Sequence, residues 1–132
     1  MGTEEKTYCS KNTYTNTYCY KNWQGVFIGH FGRVIINPRA VLGNNITINT
    51  GVTIGQTNRG KNKGVPTIAD NVWIGTNAVI VGGISIGTDV MIAPNSFVNF
   101  DVPPHSIVVG NPAKIISRDG ATSGYIERTV DV

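Results

Sequence analysis

Few residues of this 132-residue chain can do chemistry, and they are thinly spread: two histidines, His30 and His105, two cysteines, Cys9 and Cys19, and cations at Arg59, Lys61 and Lys63. Two thiols are too few for a zinc site by themselves, and a reducing cytosol would leave them free. His105 follows Pro103-Pro104 and reads as structural. His30 and the three cations lie where a repeat breaks. What they can do therefore depends on the elements that hold them.

Those elements repeat every six residues. Ile36, Leu42, Ile48 and Ile54 are six apart, and after a gap the series resumes at Ile68, Ile74, Ile80, Ile86, Ile92 and Val98. One position after each anchor the residue is small or Asn, except at Val81. Three positions after come Arg39, Asn45, Gly51, Thr57, Asn71, Asn77, Gly83, Asp89, Asn95 and Asp101. Gly, Asn and Asp best tolerate a left-handed backbone, so the chain is expected to turn there. Four positions after, an apolar residue returns, with Asn58 and Ser96 as exceptions.

A unit of this kind cannot bury its own anchor and must stack on its neighbours. β-branched anchors suit the interior ladders of short parallel strands. An antiparallel meander would instead alternate at period two, with turns at irregular spacing.

The breaks are as informative as the repeat. Between Ile54 and Ile68 lie 14 residues where six would continue the pattern, so eight extra residues form a loop at one corner, running from Gln56 to Pro66. Ile28 and Ile36 are eight apart, which puts His30 on a bulged corner. Residues 1–22 show no repeat and are expected to be a polar, irregular segment. The repeat domain spans 23–117, ends after Pro103-Pro104 and closes with an apolar stretch that can cap the last coil. Residues 118–132 read as a polar tail.

Composition excludes several classes. The chain is 40% apolar and 14% charged with 16 glycines, which fits one β-rich domain and not a helical bundle. A net charge of +3 without a basic, aromatic-interleaved stripe argues against nucleic acid. No apolar run is long enough to span a membrane and no secretory pattern opens the chain, so the expected compartment is the cytoplasm.

Ile28-Gly29-His30, Gly51-Val52-Thr53-Ile54-Gly55 before a loop ending in Pro66-Thr67-Ile68, Val72-Trp73-Ile74-Gly75, Asp101-Val102-Pro103-Pro104 and Gly110-Asn111-Pro112-Ala113-Lys114 together resemble the hexapeptide-repeat acyltransferases. Within them the likeness is to serine acetyltransferases and to O-acetyltransferases of sugars and polysaccharides. The resemblance implies an all-β, left-handed parallel β-helix and a homotrimer, with acetyl-CoA in the groove between subunits and no metal. It makes His30 the general base that takes the proton of a small-molecule acceptor hydroxyl. It places Gly55, Gln56, Thr57, Thr76, Ala93 and Pro94 along the pantetheine arm. Arg59, Lys61, Lys63 and Lys114 are its candidates for the coenzyme phosphates.

The chain departs from the serine acetyltransferase pattern at three places. Val65-Pro66 stands where a His-Pro pair is usual, no acid lies near Thr15 to orient the histidine, and Pro38 replaces a glutamate. The first reading is an acetyl-CoA-dependent O-acetyltransferase acting on serine, and the missing histidine favours a sugar hydroxyl as the alternative. A metal-dependent hydratase of the same architecture would need about three imidazole ligands, which two histidines in one chain cannot supply. A non-catalytic module that binds coenzyme A or joins an assembly is the reading from another class. It would tolerate loss of His30.

Overall fold

Six-residue spacing leaves room for strands of only two or three residues, and in a computed structural model of the protein such strands follow one another from Gly25 onward. The structure describes residues 7–11, 17–21, 25–30, 32–126 and 129. β1 (Thr7–Lys11) and β2 (Thr17–Lys21) pair antiparallel, with Cys9 opposite Cys19. The segment expected to be irregular thus contains a strand pair, because Thr, Tyr and Cys at close spacing favour extended backbone. The rest of that segment, and the proposed start of the repeat domain at residue 23, lie outside the described residues.

The first coil holds β3 (Val26–Ile28), β4 (Ile35–Ile36) and β5 (Val41–Leu42). The second holds β6 (Ile46–Ile48), β7 (Thr53–Gly55) and β8 (Thr67–Ile68), and the third β9 (Val72–Ile74), β10 (Val79–Val81) and β11 (Ser85–Ile86). β12 (Val90–Ile92) and β13 (Phe97–Val98) form two sides of the fourth, whose third side is Val102, bridged to Ile86. β14 (Ser106–Gly110) begins a fifth, and β15 (Ala113–Ser117) returns antiparallel against it.

Strands of successive coils pair in parallel, which sorts them into three sheets. The first carries β3, β6, β9, β12, β14 and β15, the second β4, β7, β10 and β13, and the third β5, β8 and β11. The expected left-handed parallel β-helix is the fold observed.

Register fixes which side chains point inward. Ile36 pairs with Ile54 and Ile54 with Ile80, while Ile48, Ile74 and Ile92 are stacked in the first sheet. The repeat anchors from Ile36 to Val98 are all buried, as are the second apolar positions Ala40, Ile46, Val52, Val72, Ala78, Ile84, Val90 and Val102. Ser96 is the polar exception. Its hydroxyl accepts the Gly110 amide at 3.0 Å and lies 3.5 Å from the Val108 carbonyl, so the buried oxygen has partners.

Left-handed turns fall where the sequence predicts them on two of the three corners, at Asn45, Gly51, Asn71, Asn77, Asp89 and Asn95. The corner after the second sheet is different: Arg39, Thr57 and Asp101 do not have positive φ, and Gly82 takes that conformation in place of Gly83. Asp101 serves there through its side chain, accepting the Ser85 amide at 2.9 Å. No helix among the described residues is long and apolar enough to cross a membrane.

Candidate active site

The expected site residues divide between two corners of the prism. His30, Thr76 and the Ala93-Pro94 pair occupy the first, third and fourth turns of the corner between the first and second sheets, with Asn49-Thr50-Gly51 forming the second, and Lys114 stands on β15 just past the same edge. Gly55, Gln56, Thr57, Arg59, Lys61 and Lys63 occupy the next corner, on the inserted loop. One chain does not bring the two groups together. The outer face of the second sheet lies between them, where Ile35, Thr53, Val79 and Phe97 are in register. At about 3.3 Å per residue this strip is roughly 10 Å wide.

His30 is exposed on its bulged corner. Above it the corner is a rail of small or compact residues, with Thr76 and Pro94 exposed and Ala93 half-buried. The rail repeats coil by coil because each corner is bonded to its neighbours: Gly75 donates to the Ile92 carbonyl of the coil above, while Asn77 donates to that of Thr50 and Asn95 to that of Thr76, each on the coil below. A Cβ on Gly75 would come within 2.6 Å of the Pro94 nitrogen, so close stacking here needs glycine. An extended, peptide-like arm fits such a rail. Among the described residues no bulky side chain stands on the corner above His30.

The loop is a tied structure. Thr57 and Gly64 exchange two backbone hydrogen bonds of 3.0 and 2.9 Å, and Lys63 donates to the Gly60 carbonyl to close the tip. At the root, the Gln56 side-chain oxygen accepts from the Arg39 guanidinium and, at 3.4 Å, from Asn37, while its amide donates to Asn58. At the tip, the Gly83 amide donates to the Asn62 carbonyl at 2.8 Å and the Asn62 side chain donates to the Asn99 carbonyl at 2.7 Å. The loop therefore climbs its corner away from the His30 coil and carries exposed Lys61 and Lys63 with it.

Gly82 and Gly83 make this docking possible. A Cβ on Gly82 would lie 2.8 Å from the Asn62 carbonyl oxygen, and one on Gly83 2.6 Å from that of Lys63. These two residues, Asn62 and Arg39 were not singled out from the sequence as parts of the site. The signal available was the Gly82-Gly83 pair, the one adjacent pair of glycines in the chain.

The third corner holds a different constellation. His105 Nδ1 lies 2.8 Å from Asp89 Oδ2, and Asp89 also accepts the amides of Ala121 and Thr122 and the Thr122 hydroxyl. Burial would raise the Asp89 pKa, but the bonds from His105, Thr122 and Ala121 outweigh it and hold the carboxyl well below the usual carboxylate range. The segment after β15 is fastened there, and Tyr125 meets Trp73 edge-on with ring centroids 5.1 Å apart. A shallow cleft lined by Asn71, Asp89 and Thr122 lies at this corner and not beside His30. His105 thus joins the contacts that fasten this corner.

Comparison with known proteins agrees with this architecture. Residues 66–99 match the bacterial transferase hexapeptide family (six repeats). A serine acetyltransferase of Staphylococcus aureus is 41% identical over 99 residues, which is 75% of this chain and 46% of that protein. The crystal structure of Neisseria gonorrhoeae serine acetyltransferase in complex with serine is 43% identical, with a TM-score of 0.64 over 72% of this chain and 39% of that one. That of the Brucella abortus enzyme in complex with coenzyme A is 34% identical, with a TM-score of 0.68 over 74% and 40%. The chain spans less than half the length of these relatives.

Proposed function

Since this chain belongs to the hexapeptide-repeat acyltransferases, we propose that it transfers acetyl from acetyl-CoA to an acceptor hydroxyl as a serine acetyltransferase-like O-acetyltransferase. The observation that carries the reading is the pairing of an exposed histidine with a rail of small, accessible side chains at Thr76, Ala93 and Pro94 on the coils above it. A relative of this architecture binds coenzyme A and another binds serine.

His30 is the general base. A hydroxyl is a weak nucleophile near neutral pH, so the imidazole takes its proton as the oxygen bonds to the thioester carbon. The C–S bond breaks and the proton passes from His30 to the departing thiolate. Gly55, Gln56, Thr57, Thr76, Ala93 and Pro94 line the pantetheine arm, and Arg59, Lys61, Lys63 and Lys114 meet the phosphates.

The two halves of this site are completed between subunits of a homotrimer. In a threefold assembly of parallel helices, coils of equal height face one another, so the His30 corner of one subunit meets the loop-bearing corner of the next. Ile35, 48% exposed on the strip between the two corners, supports that contact. The compartment proposed is the cytoplasm.

A sugar hydroxyl is the second reading of the acceptor, favoured by Val65 at the place where serine acetyltransferases carry histidine. The test is release of free thiol from acetyl-CoA with serine, other hydroxyl amino acids, sugars and sugar nucleotides, run beside His30→Ala. Acceptor-dependent release that vanishes in the variant supports transfer. Coenzyme binding without release by either protein turns the reading to a binding module.

A further inference from the structure

Charge along this chain is segregated. Residues 6–69 contain eight cations (Lys6, Lys11, Lys21, Arg33, Arg39, Arg59, Lys61 and Lys63) and no Asp or Glu. Residues 70–132 contain three cations and six acids, and the first five residues two acids, so +8, −3 and −2 give the overall +3. The first two coils and their loop are therefore purely basic. Among the described residues the ion pair that forms, His105 with Asp89, is on a later coil.

Two of these cations sit in the coil of His30 itself. Arg33 is exposed on the same bulged corner, three residues on, and Arg39 is exposed at the other end of β4. Arg39 is also aimed. Its amide donates to the Asn37 side chain at 3.0 Å, and its guanidinium donates to Gln56, which leaves further N–H groups of the fork for a ligand.

Neither arginine suits the coenzyme phosphates. With the thioester at His30, the uncharged pantetheine arm separates that end of the coenzyme from its phosphates. The loop cations climb with Asn62 toward later coils, away from His30. Arg33 and Arg39 stay at the level where the acceptor must lie.

We propose that the acceptor is an anionic saccharide bound where subunits of the proposed homotrimer meet, its carboxylate or phosphate held by Arg39 of one subunit while a ring hydroxyl faces His30 of the next, whose Arg33 adds to the field. This rests on the acetyl-transfer reading and narrows it. A zwitterionic amino acid would bring an ammonium group into an all-cationic site. A guanidinium fork is instead matched to carboxylate or phosphate oxygens, and a cleft of one sign concentrates substrates of the other.

The experiment uses the full chain with acetyl-CoA and matched acceptors: glucose against glucuronate, N-acetylglucosamine against its uridine diphosphate derivative, and serine. The charged member of at least one pair is expected to have a KM about tenfold or more below its neutral partner. Which pair responds distinguishes carboxylate from phosphate. Arg39→Gln is expected to raise that KM about tenfold while raising the neutral acceptor's KM less, so that the preference for the charged member shrinks, and added salt shrinks it likewise in the wild type. Equal KM values within both pairs, or preference for serine, overturn the proposal while leaving acetyl transfer intact. If no acceptor supports thiol release, transfer itself fails, and binding of glucuronate and uridine diphosphate to coenzyme A-saturated protein decides. Binding that Arg39→Gln abolishes sustains the anion site, and no binding overturns it.

Discussion

The side-chain amide of Asn62 donates a 2.7 Å hydrogen bond to the carbonyl oxygen of Asn99, so the tip of the inserted loop is tied to a corner two coils above its root. Loss of one such bond costs about 1 kcal/mol. Asn62→Ala is expected to raise the KM for acetyl-CoA several-fold, because Lys61 and Lys63 lose their fixed height, and to lower the melting temperature by only a few degrees. Gly83→Ala, whose Cβ would meet the Lys63 carbonyl at 2.6 Å, has the larger effect in the same steady-state assay.

Removal of the His30 imidazole takes away the proposed proton acceptor but no interior packing, since the residue is exposed. His30→Ala is expected to lower kcat about 10²- to 10⁴-fold. Calorimetric titration with coenzyme A should give an affinity within a factor of about two of the wild type. A comparable loss of binding would show that the residue holds the coenzyme and does not act as base.

Ile54 pairs with Ile36 below and Ile80 above, and all three are buried. Ile54→Ala opens a cavity in the middle of the stack and should cost about 2–5 kcal/mol in urea unfolding. Ile35→Lys, on the outer face of β4, leaves that interior untouched. If the protein assembles as the proposed trimer, this variant is expected instead to be a monomer in light scattering and to lose thiol release while its circular dichroism spectrum persists.

Asp89 has a folded-state pKa depressed below its unfolded value of about 3.9. Its carboxylate therefore stabilises the fold above about pH 4, and that contribution is lost as pH falls through the folded value. The melting temperature of the wild type should drop as pH is taken from about 5 toward 2. Asp89→Asn keeps a residue that tolerates φ of 55° but loses the charged acceptor, at a cost of about 1.5–3 kcal/mol at neutral pH, and should flatten the acid limb.

The helical stack was legible because a single physical demand, burial of one aliphatic residue per six, repeats without change. Corner geometry was legible where Asn, Asp or Gly must adopt positive φ, as at Asn45 and Asn77. It was not legible after the second sheet, where the loop shifts the turn from Gly83 to Gly82 and Asp101 acts by its carboxylate. His30 was marked as a candidate by its place at a break. Arg39 was passed over because it sits in register with the turn residues and nothing local marks its bond to Gln56, 17 positions away. The tail between Gly120 and Tyr125 reads as featureless, since its order comes from the distant Asp89 and Trp73.

β15 runs against the direction of every other strand in its sheet, pairing antiparallel with β14 over five residues. Each earlier coil offers the next a matching edge, so the repeat by itself has no reason to stop, and one molecule could template another end to end. A reversed final strand breaks that translational order. An incoming first coil would meet an edge running the wrong way. At that end of the first sheet the turn at Asn111 and Pro112 thus exchanges a parallel edge for a reversed one.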